Sequence, residues 1–426
     1  MILGISSSLI AAVFETYLIG LIGTTELAAY SFTFPVVGAI TSLMLGISIG
    51  LSSVLARTVG SGDNSQVKRL ATDGLLLMAL IMLFAAVIGA STTEFMFQKF
   101  GADETTLPLI TDYMHVWYLG LVFFALPSIG ANALRATGDA RISGTLMISG
   151  AVMQMILDPL LILGLLGFPK MGIMGAGWAM VISRFLLCCI TFYVLTKQKD
   201  LILLTKINFR SMIRSWRKIL IVGLPATATN LIGPISTAIV ITLLAGFGKE
   251  AVAGFGIASR LEALSIIPLL ALSASIGPFV GQNHGAKLFG RANNAMKLAF
   301  RWALIWGVFI AFIFMVGHQV LVTLFDDNQE VTNVASLYLI IVPISYGLWG
   351  VLMISSATFN SLGKPLASTA LSVFRMLVIY IPLAFLGQYY WGITGIFLAA
   401  ALSNILTGVL AFLWNRRIYG TDNTES

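Results

Sequence analysis

The stretch Gly23-Thr-Thr-Glu-Leu-Ala-Ala-Tyr30 is answered 225 residues later by Gly248-Lys-Glu-Ala-Val-Ala-Gly-Phe255. Arg57-Thr-Val-Gly60 is answered by Gln282-Asn-His-Gly285, and Arg135-Ala-Thr-Gly138 by Asn360-Ser-Leu-Gly363, both at the same spacing. A fourth pair, Gly172-Ile-Met-Gly175 and Gly392-Ile-Thr-Gly395, is 220 apart, so a few residues were gained or lost late in the repeat. The chain is a duplication, and each copy is apolar almost throughout. Duplicated hydrophobic halves are the sequence mark of a transporter, in which two pseudo-equivalent bundles rock about a shared cavity.

Of the 426 residues, 58% are hydrophobic and only 10% are charged. A soluble domain carries about 25% charge, so this is an integral membrane protein. Apolar runs long enough to cross a bilayer, about 20 residues each, recur twelve times. They cover 2–23, 27–55, 71–95, 110–134, 143–166, 172–196, 218–246, 251–281, 294–323, 332–358, 366–388 and 391–415. Runs this long and unbroken exclude a β-barrel, whose strands alternate over about ten residues. The fold class is therefore an all-α membrane protein with twelve transmembrane helices in two pseudo-symmetric six-helix lobes. An even number of helices per half gives both halves the same orientation, with the pseudo-symmetry axis along the membrane normal.

The net charge of +7 is a matter of topology. With both termini cytoplasmic, only Lys99, Lys170 and Lys249 fall in outer loops, and Arg184, Arg260 and Arg375 fall within spans. Every other Lys and Arg is on the cytoplasmic side, as the positive-inside rule requires. This places the chain in the cytoplasmic (inner) membrane, predicts no nucleic-acid partner, and leaves the bilayer and small molecules as its partners, with a monomer expected. Cys188 and Cys189 are neighbours on one helix and point about 100° apart, so no disulfide follows. The first apolar stretch lacks a basic start and runs too long for a cleavable signal peptide.

The domain reading is 1–196 for the N-lobe, 197–217 for a cytoplasmic linker, 218–415 for the C-lobe and 416–426 for a tail, polar and expected to be disordered after Tyr419. In 209–217 apolar and basic residues interleave as in a helix lying on the cytoplasmic leaflet. Pro225 maps one residue before Met1, so the repeat predicts that helix one lacks roughly its first eight residues. Nine of the twelve prolines fall inside spans, consistent equally with bent helices around a cavity and with static kinks.

Ionisable groups within a span cost about 2.5–3.5 kcal/mol each on insertion scales, so each needs a reason. Glu15 and Asp158 form the sharpest pair. Each lies eight residues before the outer end of its helix, which puts both ~12 Å below the outer boundary at about 1.5 Å per residue. Gln154 precedes Asp158 by one turn and shares its face. Two carboxylates in a low-dielectric site do not both ionise cheaply, so a proton or a cation relieves the repulsion and its release can drive a conformational change. The alternative is two acids hydrogen-bonded to backbone at the Asp158-Pro159 kink. Glu15 maps onto Val240 and Asp158 onto Leu383 (or Val378 at the shorter spacing), so the scaffold repeats while the acids do not. In the second lobe Asn230, Arg260, Glu262 and Arg375 form a polar cluster. Arg260 and Glu262 are two apart and face differently, which leaves Glu262 to pair with Arg375 in a salt bridge between helices, with a substrate or second proton site as the alternative.

Leu55-Ala-Arg-Thr-Val-Gly-Ser-Gly-Asp63, Ala133-Leu-Arg-Ala-Thr-Gly-Asp-Ala-Arg141, Ile156-Leu-Asp-Pro-Leu160, Gly172-Ile-Met-Gly-Ala-Gly177 and Val280-Gly-Gln-Asn-His-Gly-Ala286 resemble the multidrug and toxic compound extrusion (MATE) family along essentially the whole chain. The run Ser259-Arg-Leu-Glu-Ala263 is similar to its DinF-like branch. The resemblance implies a twelve-helix exporter of cationic and amphipathic compounds, driven by protons or sodium, with the cation site in the N-lobe. The branch's helix-five aspartate falls on Asp158, its helix-one aspartate on Glu15, its helix-five asparagine on Gln154 and its helix-six threonine on Met180. Met180 offers no hydroxyl, and sodium wants compact oxygen ligands, so the expectation is proton coupling with sodium as the alternative.

The resulting expectation is a multidrug antiporter with Glu15, Asp158 and Gln154 as the proton site. Tyr30, Phe34, Met153, Trp178 and Met180 supply adaptable substrate walls, in the N-lobe cavity or in the cleft between lobes. No cofactor beyond the coupling ion and no metal site are expected. A flippase for a lipid-linked saccharide is the rival on the same scaffold. Two His flanking a Glu on one helix, a Gly-x-Ser-x-Gly elbow beside a His and a Walker motif are all missing, so an intramembrane enzyme or ATP-driven pump finds no support in this chain.

Overall fold

The computed structural model describes residues 1–203 and 208–422, with side chains through 417, and among these every regular element is helical. In chain order they are α1 (Ile2–Ile22), α2 (Thr24–Gly60), α3 (Asn64–Lys99), α4 (Thr106–Ala136), α5 (Ala140–Leu163) and α6 (Ile173–Tyr193), which runs on as a π turn to Gln198. Then come α7 (Phe209–Ala245), α8 (Lys249–Ser265), α9 (Ile267–Gly285), α10 (Phe289–Thr323), α11 (Gln329–Ile341), α12 (Tyr346–Ser361), α13 (Pro365–Val373) and α14 (Ile381–Asp422).

These make twelve spans. Helices α8 and α9 form one span bent by 44°, and α11 continues into α12 through a 3₁₀ turn at Val342–Ser345 that contains Pro343, which has no backbone donor to offer. The last apolar run, Pro365–Arg417, is 53 residues long, about twice what a bilayer takes. It is broken in two at Gly392, whose φ of 58° and ψ of −135° no helix accommodates. Phe84, Val87, Phe312 and Val316 on the outer faces are largely exposed, as hydrocarbon-facing residues should be.

The chain forms two compact units, Met1–Thr227 and a second beginning at Ala228. In the first, Ile47 and Leu51 of α2, Met78 and Met82 of α3, and Ile110, Met114 and Leu121 of α4 are fully buried in one core. In the second, Leu244, Leu339, Tyr346 and Ile396 centre one cluster, and Val280, Ala292 and Ile354 another.

The division falls inside α7 rather than in the 197–217 linker expected from composition. Residues 209–217 do not form a separate surface helix; they are the opening turns of α7. The first half of α7 lies against α2, where a side chain on Gly46 would meet the Thr227 backbone nitrogen at 2.4 Å and one on Gly50 the Ile219 carbonyl at 2.4 Å. The indole of Trp216 donates to the Asp73 carbonyl at 2.8 Å. Upstream, Lys199 pairs with Asp139 at 2.8 Å, Asp200 with Lys68, and the Leu203 amide donates to the Thr72 hydroxyl at 2.9 Å. The linker is thus strapped to the first unit. At the other end α14 continues to Asp422, so the tail expected to be disordered is helical that far; residues 204–207 and 423–426 lie outside the described residues.

The duplication reaches the backbone dihedrals. Gly172 has φ 59° and ψ −135°, and its counterpart Gly392 has φ 58° and ψ −135°. The change of spacing also has a place. A side chain on Gly175 would meet the Leu161 carbonyl at 2.4 Å, and one on Gly395 the Gly387 carbonyl at 2.0 Å. The glycines are 220 apart but the residues they approach are 226 apart. The loop after α5, with its short 3₁₀ turn Leu165–Gly167, is condensed in the second unit to the bend at Gly392. The extra residue upstream coincides with the π-helical turn Phe374–Tyr380, the usual signature of a one-residue insertion into an α-helix and frequent at functional sites.

A methyl group at either bend glycine meets no steric obstacle at 172 and only ordinary contact with Phe247 at 392, so backbone strain alone sets its effect. Gly172→Ala and Gly392→Ala are each expected to destabilise by ~1–3 kcal/mol, read as matching drops in melting temperature of the purified protein. A drop confined to one of them would sink the equivalence.

Candidate functional site

Glu15 sits in the middle of α1, and α1 lies so close to α5 that a side chain on Gly4 would meet the Met147 Cβ at 3.1 Å. That contact turns the Glu15 carboxylate toward the α5 face carrying Gln154 and Asp158. The Gln154 amide donates to Glu15 Oε2 at 3.0 Å, and Arg184 of α6 donates to Gln154 Oε1 at 3.1 Å. Glu15 and Gln154 are each about 6% exposed, while Asp158 is wholly buried. Tyr30 of α2 hydrogen-bonds Glu15, and Tyr113 of α4 packs edge-on against Tyr30 at 5.5 Å between ring centres. Asp158 lies close enough to Glu15 and Arg184 to feel both charges. Neither of its carboxylate oxygens has a hydrogen-bond partner.

Residues from α1, α2, α4, α5 and α6 therefore meet in one buried cluster of two acids, one base, one amide and two tyrosines. Gln154 bridges Glu15 to Arg184, so this acid and the guanidinium are linked through a single side chain. Arg184 also lies over the Phe124 ring at 5.3 Å, a cation–π contact that helps hold it in an apolar bundle. A side chain on Gly150 would come within 3.1 Å of its Nη1, so the glycine makes room for the guanidinium.

The proposed wall residues divide. Tyr30 belongs to the acid cluster itself. Phe34 is about half exposed and meets Tyr30 edge-on at 5.1 Å. Met180 is buried, and Met153 and Trp178 are half-buried. The sequence marked Arg184 only as a lone arginine within a span, and it did not single out Tyr113. Tyr113 carries no signal in one dimension; Arg184 does, because an arginine within a span must find a partner.

The second unit is arranged otherwise than expected. Glu262 makes no salt bridge to Arg375. Its Oε2 instead accepts hydrogen bonds from the Tyr338 hydroxyl and, at 2.8 Å, the Tyr346 hydroxyl. Arg375 donates to Asn404 Oδ1 at 2.8 Å, Asn404 donates to the Ser345 hydroxyl at 3.0 Å, and the guanidinium lies over Trp349 at 5.7 Å. Two tyrosines satisfy the acid, so the arginine is not needed as its partner. Glu262 and Arg375 nonetheless line the same cavity, of about 210 Å³. Arg260 is exposed on another face of α8 and has no part in it, and Asn230 is not among the residues of its wall. Among the described residues no group of His, Cys, Asp and Glu is arranged to hold a metal ion.

The MatE family profile matches residues 2–160 and again 225–386, one match for each copy of the repeat. The chain belongs to the MATE family. It is 34% identical to a FAD transporter of Shewanella oneidensis over 98% of this chain and 92% of that one. It is 28% identical to a probable multidrug resistance protein, YoeA, of Bacillus subtilis, over 93% and 88% of the two chains. Among solved structures it superposes on the MATE transporter VcmN of Vibrio cholerae in its bent form, with a TM-score of 0.93 and 27% identity, covering 100% of this chain and 95% of the other. This MATE chain is thus a multi-pass membrane transporter with the MATE fold, and not an enzyme.

Proposed function

We propose that this MATE transporter exports amphipathic, ring-bearing compounds across the cytoplasmic membrane in exchange for protons, with both termini inside and the proton carried by Asp158 and Glu15. The observation that supports this most is Asp158. Both of its oxygens are buried and unpartnered, a setting in which a bare charge is heavily penalised and a proton removes the penalty. Protonating the pair leaves Arg184 without its counter-charges. Gln154, held by hydrogen bonds to both Glu15 and Arg184, passes that change from α5 to α1 and α6. Release of the proton restores the charges and reverses the step.

Sodium fits this cluster less well. A hard cation needs several oxygen ligands, yet the Gln154 oxygen already accepts from Arg184. Met180 supplies no oxygen, and the guanidinium itself repels a second cation.

On cargo there is a second, narrower reading. The multidrug relative shares 28% identity with this chain, whereas the FAD transporter shares 34% over nearly its whole length, which favours a flavin dinucleotide over organic cations. Proteoliposomes answer both questions: the purified protein is given ethidium or FAD, under an imposed pH gradient and, separately, a sodium gradient. Movement of either cargo driven by the pH gradient alone is the expected result. Movement responding only to sodium would overturn the proton reading, and transport of FAD but not ethidium would select the narrower cargo.

A further inference from the structure

The cavity of the second unit is the repeat-mate of the acid cluster of the first. At the 225-residue spacing Glu15 corresponds to Val240, Tyr30 to Phe255, Tyr113 to Tyr338 and Phe124 to Trp349; at the later spacing of 220, Met180 corresponds to Ala400 and Arg184 to Asn404. All six second-unit residues line the 210 Å³ cavity. The same set of positions is brought together in both units, and in the second copy the acids of the first are gone.

The guanidinium has changed helices. In the first unit it belongs to Arg184, and Gly150 leaves it space. In the second unit position 375, the counterpart of Gly150, carries the arginine, and Asn404 stands in place of Arg184. Arg375 lies in the π-helical turn Phe374–Tyr380, the one-residue insertion that distinguishes this helix from its counterpart. Its Nη1 is spent on Asn404 and its face on Trp349, while its Nε is buried and makes no hydrogen bond. The acid on the same wall, Glu262, is engaged by two tyrosine hydroxyls and pairs with nothing else.

We infer that this cavity is a binding site for an oxyanion, a phosphate or carboxylate, carried by an aromatic compound. Arg375 lines the cavity, and the guanidinium donors that Asn404 does not take serve the oxyanion, for which arginine favours a bidentate geometry. Ser403 and Asn404 on the cavity wall add polar groups. Phe255, Tyr338, Tyr380 and Phe397 supply ring faces and edges, with Tyr338 and Phe397 already edge-to-face at 5.0 Å. The volume is below the ~300 Å³ at which whole small-molecule pockets begin, so it takes the charged group and the part of the ligand next to it rather than a complete large ligand. Glu262 on the same wall opposes the anion and keeps its affinity moderate, as release demands. The inference rests on the fold and on Arg375; it does not depend on proton coupling through Asp158.

The test is equilibrium binding to the full-length protein in lipid nanodiscs, with no ion gradient. The probes are flavin mononucleotide, riboflavin (the same ring without the phosphate) and 1-naphthoate (a ring with a carboxylate). Flavin mononucleotide is expected to bind at least tenfold more tightly than riboflavin. Arg375→Gln is expected to erase that difference while leaving riboflavin binding unchanged, and Arg375→Lys to retain part of it. Glu262→Gln is expected to tighten flavin mononucleotide, and Arg260→Gln, on the exposed face, to change nothing. Naphthoate that binds with the same Arg375 dependence marks a general oxyanion site, and naphthoate that fails to bind marks a phosphate site; both support the inference. Equal affinity for flavin mononucleotide and riboflavin in the wild type would overturn it whatever the variants do, as would equal losses in Arg375→Gln and Arg260→Gln.

Discussion

Asp158→Asn is expected to reduce transport driven by a pH gradient to the level of empty liposomes while leaving the protein folded. The asparagine is nearly isosteric and keeps the volume of a wholly buried side chain, so packing does not change. What it removes is the ability to gain and lose a proton, and with it the alternation of charge beside Arg184. Because the aspartate oxygens have no hydrogen-bond partner to lose, the variant should melt no lower than wild type. Glu15→Gln should lose less, since the amide can still accept from Gln154 at the position of Oε2. The decisive measurement is the initial transport rate against imposed pH at matched protein incorporation. A wild-type rate in Asp158→Asn would show that the aspartate is architectural and that coupling lies elsewhere.

Gly395→Val carries the largest expected effect on folding. A Cβ at this position would stand 2.0 Å from the Gly387 carbonyl oxygen and 2.2 Å from its carbon, and a Cβ on Gly387 would meet the Gly395 carbonyl at 2.5 Å. The two backbones touch on either side of the bend at Gly392, and neither is a side chain that can rotate away. Small residues allow such approaches in membrane helices; forcing them apart is expected to destabilise by about 3 kcal/mol or more and to abolish the monodisperse peak in size-exclusion chromatography. Gly256→Ala, in α8 with nothing within 4 Å, is the matched control and should be neutral or slightly stabilising, as helix propensity predicts. Normal yield and melting of Gly395→Val would refute the close approach.

Glu15, Gln154 and Asp158 stood out in the sequence because an acid or amide within a span is rare enough to demand a reason, and equal depth along two helices made their meeting geometrically possible. Tyr113 did not stand out, since a tyrosine in an apolar helix serves equally well as packing; only its place edge-on to Tyr30 marks it. Glu262 and Arg375 looked like partners because opposite charges in a bundle ordinarily pair. Two tyrosine hydroxyls, 76 and 84 residues away along the chain from Glu262, took the acid instead and left the arginine facing the cavity. The linker misled for a related reason: its interleaved basic and apolar residues suit a helix on a lipid surface and the first turns of a membrane span alike, and Trp216 reaching the Asp73 carbonyl decides between them.

The sequence by itself determined the membrane class, the twelve spans and the duplication, because span length and apolar run are local properties and a repeat is visible wherever residues recur. The tertiary structure alone decided which polar side chains face one another. A helix turns about 100° per residue, so which way a side chain points depends on the rotation of its helix against its neighbours. Arg375, in the π turn at Phe374–Tyr380, thus lies on the wall of a cavity while two tyrosines hold the acid it was expected to pair with.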